Sequence, residues 1–145
     1  MSETQETKTA SSDVAVYSGY FNFQNNLPLG ITSGWAEHWN DDYGKETIDL
    51  AGLEIGKVTA SVSFKTFSSN KDHWNFSALT TDGSTYSYGD KDCGFEPEDA
   101  GGTVMLSATM DGSPDGGHWF NVGMPHSSSC SGCLSFSGPG ADSKD

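Results

Sequence analysis

Residues 34–44 (GWAEHWNDDYG) are the part of the chain best suited to binding chemistry. Indole and phenol rings can bury large apolar areas while a polar group stays in contact with water. Carboxylates between such rings must remain hydrated, and they accept hydrogen bonds from hydroxyl groups such as those of sugars. The segment therefore predicts a loop that presents aromatic rings and polar contacts to a ligand: Trp35, His38, Trp39, Asp41, Asp42 and Tyr43. The alternative is that the two tryptophans close one end of a hydrophobic core.

Residues 90–99 (DKDCGFEPED) are rich in carboxylates, which are the ligands that calcium prefers. The spacing does not match an EF-hand, because Gly94 occupies the fifth position and no glutamate occupies the twelfth. We take Asp90, Asp92 and Glu96 as the candidate calcium ligands. The competing interpretation is a hydrated acidic loop that keeps the protein soluble.

The three cysteines allow several chemistries. Cys130 and Cys133 form a CxxC pair, and His126 lies four residues before Cys130. Together with Cys93 they could supply three thiolates and one imidazole to a tetrahedral zinc ion. The alternatives are fully reduced thiols, one disulfide from Cys93 to either member of the pair, or redox catalysis.

Catalytic motifs are missing from the sequence. We find no GxSxG, no HExxH and no glycine-rich phosphate loop. Paired carboxylates are present, so a small glycosidase is an alternative, although a short chain without the signs of a deep cleft does not favour it. The sequence thus predicts a protein that binds without catalysing a reaction.

The charge excludes one class of partner. The 145 residues carry 20 acidic side chains against seven lysines and no arginine, a formal net charge of −13. Binding to nucleic acid requires clustered cations that contact phosphates. We therefore expect no nucleic-acid partner, and the same charge disfavours membranes with anionic lipids.

The elements that position these residues are predicted to be β-strands. In residues 58–67 (VTASVSFKTF) apolar and polar side chains alternate, which is typical of a strand with one face in water. Similar short runs recur along the chain with turn signals between them, such as Asp82-Gly83. No window has the 3.6-residue apolar period of a helix. We predict an all-β protein with a single antiparallel β-sandwich.

The ends of the chain differ from its middle. Residues 1–13 and residues 137–145 are polar and small, which predicts a disordered N-terminal arm and a flexible C-terminal tail around a sandwich domain at 14–136. The first residues lack the apolar core of a secretory signal. We expect a protein that is cytoplasmic or is released without such a signal, as a monomer or small homo-oligomer.

Three segments resemble the aegerolysin-type β-sandwich proteins and related small cytolysins and lectins of fungi and bacteria. They are residues 21–29 (FNFQNNLPL), an early strand that runs into an Asn-rich turn, the Gly34-Trp35 pair, and residues 74–86 with their Asp82-Gly83 turn. The resemblance implies recognition of lipid rafts or glycans, in some members with pore formation alongside a partner protein. It carries over no functional residue.

Together these observations predict a binding protein for a neutral, surface-displayed ligand. That ligand is either a sphingolipid- or sterol-rich membrane or a glycan, held by the aromatic and acidic side chains of residues 34–44. The alternatives are a calcium- or zinc-dependent β-sandwich protein and a small glycosidase.

Overall fold

The computed structural model describes residues 16–67, 71–110 and 118–138, and within them it is an all-β sandwich. Two five-stranded sheets pack against each other, which confirms the predicted fold class. A single 3-10 turn at Pro97–Asp99 interrupts the strands in the described part of the chain. The strands are β1 (Val16–Asn26), β2 (Ile31–Asn40), β3 (Gly44–Asp49), β4 (Val62–Phe67), β5 (His73–Thr80), β6 (Thr85–Asp92), β7 (Thr103–Met110), β8 (His118–Gly123), β9 (Cys130–Cys133) and β10 (Ser135–Ser137).

The first sheet has the strand order β4-β1-β7-β8-β9, and the second has the order β10-β6-β5-β2-β3. All neighbouring strands run antiparallel except β1 and β7, which pair in parallel. The prediction of a purely antiparallel sandwich therefore needs this correction. Parallel strands require a long crossover, and here the chain between β1 and β7 forms the second sheet's four longer strands and β4.

The core lies between the sheets because side chains alternate along each strand. In β1, Phe21 and Phe23 point inward and are fully buried, whereas Tyr20 points outward and is exposed. Rings dominate the interior, and several meet edge to face, a favoured arrangement for aromatic pairs. The largest buried aromatic side chains are Trp74, Tyr86, Phe21, Phe23, Phe76 and Phe120.

Two sequence predictions concern the ends of the chain. Residues 1–13, predicted as a disordered arm, lie outside the described residues, as do residues 139–145 of the predicted tail. Ser137, the first residue of that tail, belongs to β10, so the sandwich extends slightly further than predicted. None of the described residues form a helix with the length and apolar character needed to cross a membrane.

Gly34 of β2 lies close against the backbone of β5. A Cβ atom built on Gly34 would lie 2.3 Å from the carbonyl oxygen of Ser77 and 2.8 Å from the Cα atom of Ala78. Both are backbone atoms of the neighbouring strand, so neither can turn aside as a flexible side chain would. Glycine at this position therefore lets β2 pair with β5.

We expect Gly34→Ala to lower the free energy of unfolding by about 1–3 kcal/mol, the usual cost of forcing an extra group into a packed site. Urea unfolding of both proteins measures the loss. The matched control is Gly89→Ala, because a Cβ there meets no atom within 4 Å. Equal stabilities of the two variants would contradict the proposed close contact.

Candidate functional site

The segment predicted to be an aromatic loop is mostly a strand. Residues 31–40 form β2, which pairs with β3 on one side and with β5 on the other. Only residues 41–43 form a turn, in which the Asn40 Oδ1 atom accepts the backbone N–H groups of Asp42 and Tyr43. The prediction of a loop was wrong because an aromatic residue at every fourth position also fits the two-residue period of a strand.

Strand alternation separates the predicted ligand contacts. Trp35 and Trp39 point to the outside of the second sheet, and Trp35 is 39% exposed. His38 points inward and is fully buried, so its prediction as a polar surface contact was wrong. Asp41 and Asp42 are exposed in the turn. Tyr43 is exposed, and its ring contacts that of Phe67 in the first sheet.

We use the name outer face for the solvent side of the second sheet, which carries both tryptophans. Trp35 lies between Asp49 and Ser77, Glu37 between Thr47 and Asn75, and Trp39 between Lys45 and His73. Glu37 accepts a hydrogen bond from the Thr47 hydroxyl at 3.4 Å, and its carboxylate lies 3.8 Å from Lys45 Nζ. The outer face therefore combines two large rings with side chains that can donate and accept hydrogen bonds.

At one end of the outer face a histidine meets two aspartates. The His73 Nδ1 atom lies 2.8 Å from Asp90 Oδ1 and 2.7 Å from Asp92 Oδ1. The imidazole stacks on the indole of Trp39, with ring centroids 3.8 Å apart and an interplanar angle of 8°. His73 was not among the site residues predicted from the sequence. The sequence did carry one signal of this cluster. Asp90 and Asp92 are two residues apart, so in a strand both side chains point to the same side.

Glu96, the third predicted calcium ligand, does not join the two aspartates. The group of possible metal ligands that the described residues bring together is His73, Asp90 and Asp92. Glu96 is exposed ahead of the 3-10 turn and lines a cleft of about 400 Å³ together with His126. Of the three predicted calcium ligands, the structure therefore brings together only Asp90 and Asp92, and the third group beside them is the imidazole of His73.

The predicted zinc set is not assembled. Cys93 and Cys130 are joined by a disulfide, so neither offers a thiolate. Cys133 is an exposed free thiol, and His126 is exposed in the loop before β9. Of the alternatives left open by the sequence, the structure therefore shows a single disulfide, and Cys133 is the remaining free cysteine.

The buried His38 belongs to an ionic cluster inside the sandwich. Its Nδ1 atom lies 2.9 Å from Glu46 Oε1, and its Nε2 atom lies 2.8 Å from Asp72 Oδ1. Burial by itself lowers the pKa of His38. The hydrogen bonds and charges of Asp72 and Glu46 outweigh that effect and raise the pKa above its ordinary value. Both ring nitrogens can then donate, which matches the two carboxylate partners.

Comparison with known proteins adds no family to this picture. A scan against protein-family models and a search of curated proteins found no match to the chain. The resemblance to aegerolysin-type proteins therefore stays a prediction.

The raised pKa of His38 predicts a stability that falls at alkaline pH. Protonation of His38 stabilises the fold fully below the unfolded-state pKa of about 6.5, and this contribution is lost as the pH rises through the higher folded-state value. Urea unfolding between about pH 5.5 and about pH 9 should show the decline, with a smaller slope in His38→Gln.

The control for this experiment is His126→Gln, which removes an exposed imidazole and should keep the wild-type slope. Loss of one partner from a buried ion pair can cost about 3–5 kcal/mol, so His38→Gln could unfold. An NMR titration of the wild-type imidazole then decides the question. A midpoint at or below about 6.5 for His38 would contradict the charged cluster.

Proposed function

We propose that this protein binds neutral carbohydrates on the outer face of its second sheet. The observation that carries the proposal is that Trp35 and Trp39 project from the same side of one strand, with Glu37 between them. Aromatic rings supply apolar contact with a polar margin, as the faces and hydroxyl edges of a sugar ring require. The carboxylate and hydroxyl groups beside the rings supply hydrogen-bond partners.

The spacing of the two rings suits a ligand longer than one sugar. Four residues of an antiparallel strand span about 13 Å, so the two indoles mark two separate contacts along an extended chain. The side chains between and beside them include Glu37, Thr47 and Ser77, which can bond to hydroxyl groups. One ring face of Trp39 is covered by His73, which leaves Trp35 as the main stacking platform.

The charge of the outer face favours an uncharged ligand. It carries Glu37, Asp49, Asp90 and Asp92 against Lys45 and against Lys71, whose Nζ atom lies 3.6 Å from Asp92, in a chain with a net charge of −13. An anionic polysaccharide or an anionic lipid headgroup would be repelled. A neutral glycan carries no charge and is therefore not repelled.

A glycan is favoured over the other predicted ligand, a zwitterionic or sterol-rich membrane. Insertion into a bilayer would carry Glu37 and Asp49 toward the hydrocarbon together with the indoles, because they occupy the same face. Moving charges out of water is costly. A sugar chain lying across the sheet leaves these carboxylates hydrated and uses them as hydrogen-bond acceptors.

The Cys93–Cys130 disulfide supports a place of action outside the reducing cytoplasm. Disulfides persist in oxidising compartments and are rare in the cytosol. Of the two localisations the sequence suggested, release from the cell therefore fits better, and it is also where polysaccharides and surface glycans are met. We propose further that the protein binds the carbohydrate without hydrolysing it.

The test is affinity electrophoresis of the full chain in gels that contain a soluble β-glucan, a galactomannan or a xylan, followed by an array of neutral glycans. We expect retardation by at least one neutral polysaccharide. Trp35→Ala should weaken that binding by roughly 30-fold, since a central tryptophan at an interface contributes about 2 kcal/mol.

The matched control is Trp119→Ala, because Trp119 is also an exposed tryptophan but lies in the first sheet. It should bind as the wild type does. Binding to sphingomyelin–cholesterol vesicles without binding to any glycan, release of reducing sugar, or unchanged binding by Trp35→Ala would each overturn the proposal.

A further inference from the structure

We propose that His73, Asp90 and Asp92 bind a divalent transition-metal ion, with zinc the best chemical fit, at the Trp39 end of the outer face. This inference goes beyond the proposed function and does not depend on it. It rests on the convergence of three ligand atoms, on the packing that holds them and on an unsatisfied buried oxygen beside them.

The three ligand atoms meet at one point. One ligand atom each from His73, Asp90 and Asp92 lies within 4.8 Å of the other two. A neutral imidazole has one N–H to donate, yet two carboxylate oxygens lie at hydrogen-bond distance from the same nitrogen. Two carboxylates thus converge on one ring nitrogen, an arrangement in which all three groups could bind a single divalent cation. Asp92 also lies 3.6 Å from Lys71 Nζ through its other oxygen.

The donor set selects the class of metal. Calcium and magnesium prefer oxygen ligands alone, whereas imidazole together with carboxylates suits zinc and its neighbours. Bond lengths of about 2.0–2.2 Å place tetrahedral ligand atoms roughly 3.3 Å apart. The ligands must therefore separate by about 0.5 Å from their present contacts. Asp90 and Asp92 can move this far because about half of each side chain is exposed.

The sheet holds the ligands in place. His73 pairs directly with Asp92 across β5 and β6. Asp90 precedes Asp92 by two residues on the same side of β6, and it reaches the same imidazole beside a bulge, where the register shifts by one residue between the pairs Trp74–Lys91 and Phe76–Tyr88. Bulges commonly redirect a side chain next to a functional site. The stacked indole of Trp39 fixes the plane of the imidazole ring.

Asn75 provides an independent sign of a missing partner. It follows His73 by two residues on the same side of β5, opposite the bulge, and its side chain is only 5% exposed. Its Oδ1 atom is buried and has no hydrogen-bond partner among the described residues. A buried acceptor without a partner is costly. Because Asn75 is the next residue after His73 on this side of β5, its oxygen is the nearest unpartnered acceptor along the strand for a water molecule on the proposed metal.

The experiment is isothermal titration of Zn²⁺ into the full chain without a histidine tag, after treatment with a chelator and its removal. The background is Cys133→Ser, since that exposed thiol could bind zinc by itself. We expect one saturable site. His73→Gln should abolish it, and Asp92→Asn should weaken it at least 10-fold. Co²⁺ in place of Zn²⁺ should give the visible absorption of a site with nitrogen and oxygen ligands, and should lose it in His73→Gln.

Two matched controls complete the design. Asp41→Asn makes the same charge change as Asp92→Asn in the exposed turn after β2, and His126→Gln removes an exposed imidazole. Both should bind Zn²⁺ as the background does. Trp35→Ala should also bind normally, which separates this proposal from the carbohydrate proposal. Absence of saturable binding, or equal binding by His73→Gln and the background, would overturn the metal site.

Discussion

The contact of the buried His38 imidazole with two carboxylates is the interaction on which the arrangement of the outer face depends. Three aromatic rings surround the imidazole, those of Phe21, Phe64 and Trp74. A strand that slips by one residue moves every side chain to the opposite face. In β2 such a slip would expose His38, separate it from Glu46 and Asp72, and turn Trp35 and Trp39 into the core. The buried contacts of His38 with Glu46 and Asp72 therefore favour the register that presents both tryptophans outside.

The same cluster connects β2 to the end of the sandwich where the acidic segment lies. Asp72 uses one carboxylate oxygen for His38 and the other for the backbone N–H of Phe95. Its carbonyl oxygen accepts the N–H of Cys93, whose disulfide reaches Cys130. Asp99, although fully buried, accepts the backbone N–H groups of Glu96, His126 and Ser127. Burial alone raises the pKa of Asp99, but these bonds and the one from the Ser127 hydroxyl outweigh it and lower that pKa.

These contacts explain why the sequence predicted some features and not others. Alternation of apolar and polar residues is a local signal, so the all-β class and most strands could be predicted from it. The disulfide partner of Cys93 could not be predicted, because with three cysteines the pairing depends on which strands meet. The parallel pairing of β1 with β7 likewise has no local signature. The spacing of Asp90 and Asp92 shows that both lie on one side of a strand, but their meeting with His73 depends on the pairing of β5 with β6, which has no local signature.

The two central strands of the second sheet thus serve both sides of the molecule. In β2 and β5 the pair His38–Trp74 faces the core, and the adjacent pair Trp39–His73 faces outward. The inner pair is fully buried and hydrogen-bonded. Sites on paired strands are held more exactly than sites on loops, so a ligand at the proposed outer-face site would lose less conformational entropy on binding. Because the inner and outer pairs share one backbone, we expect a change that displaces the inner pair to displace the outer pair with it.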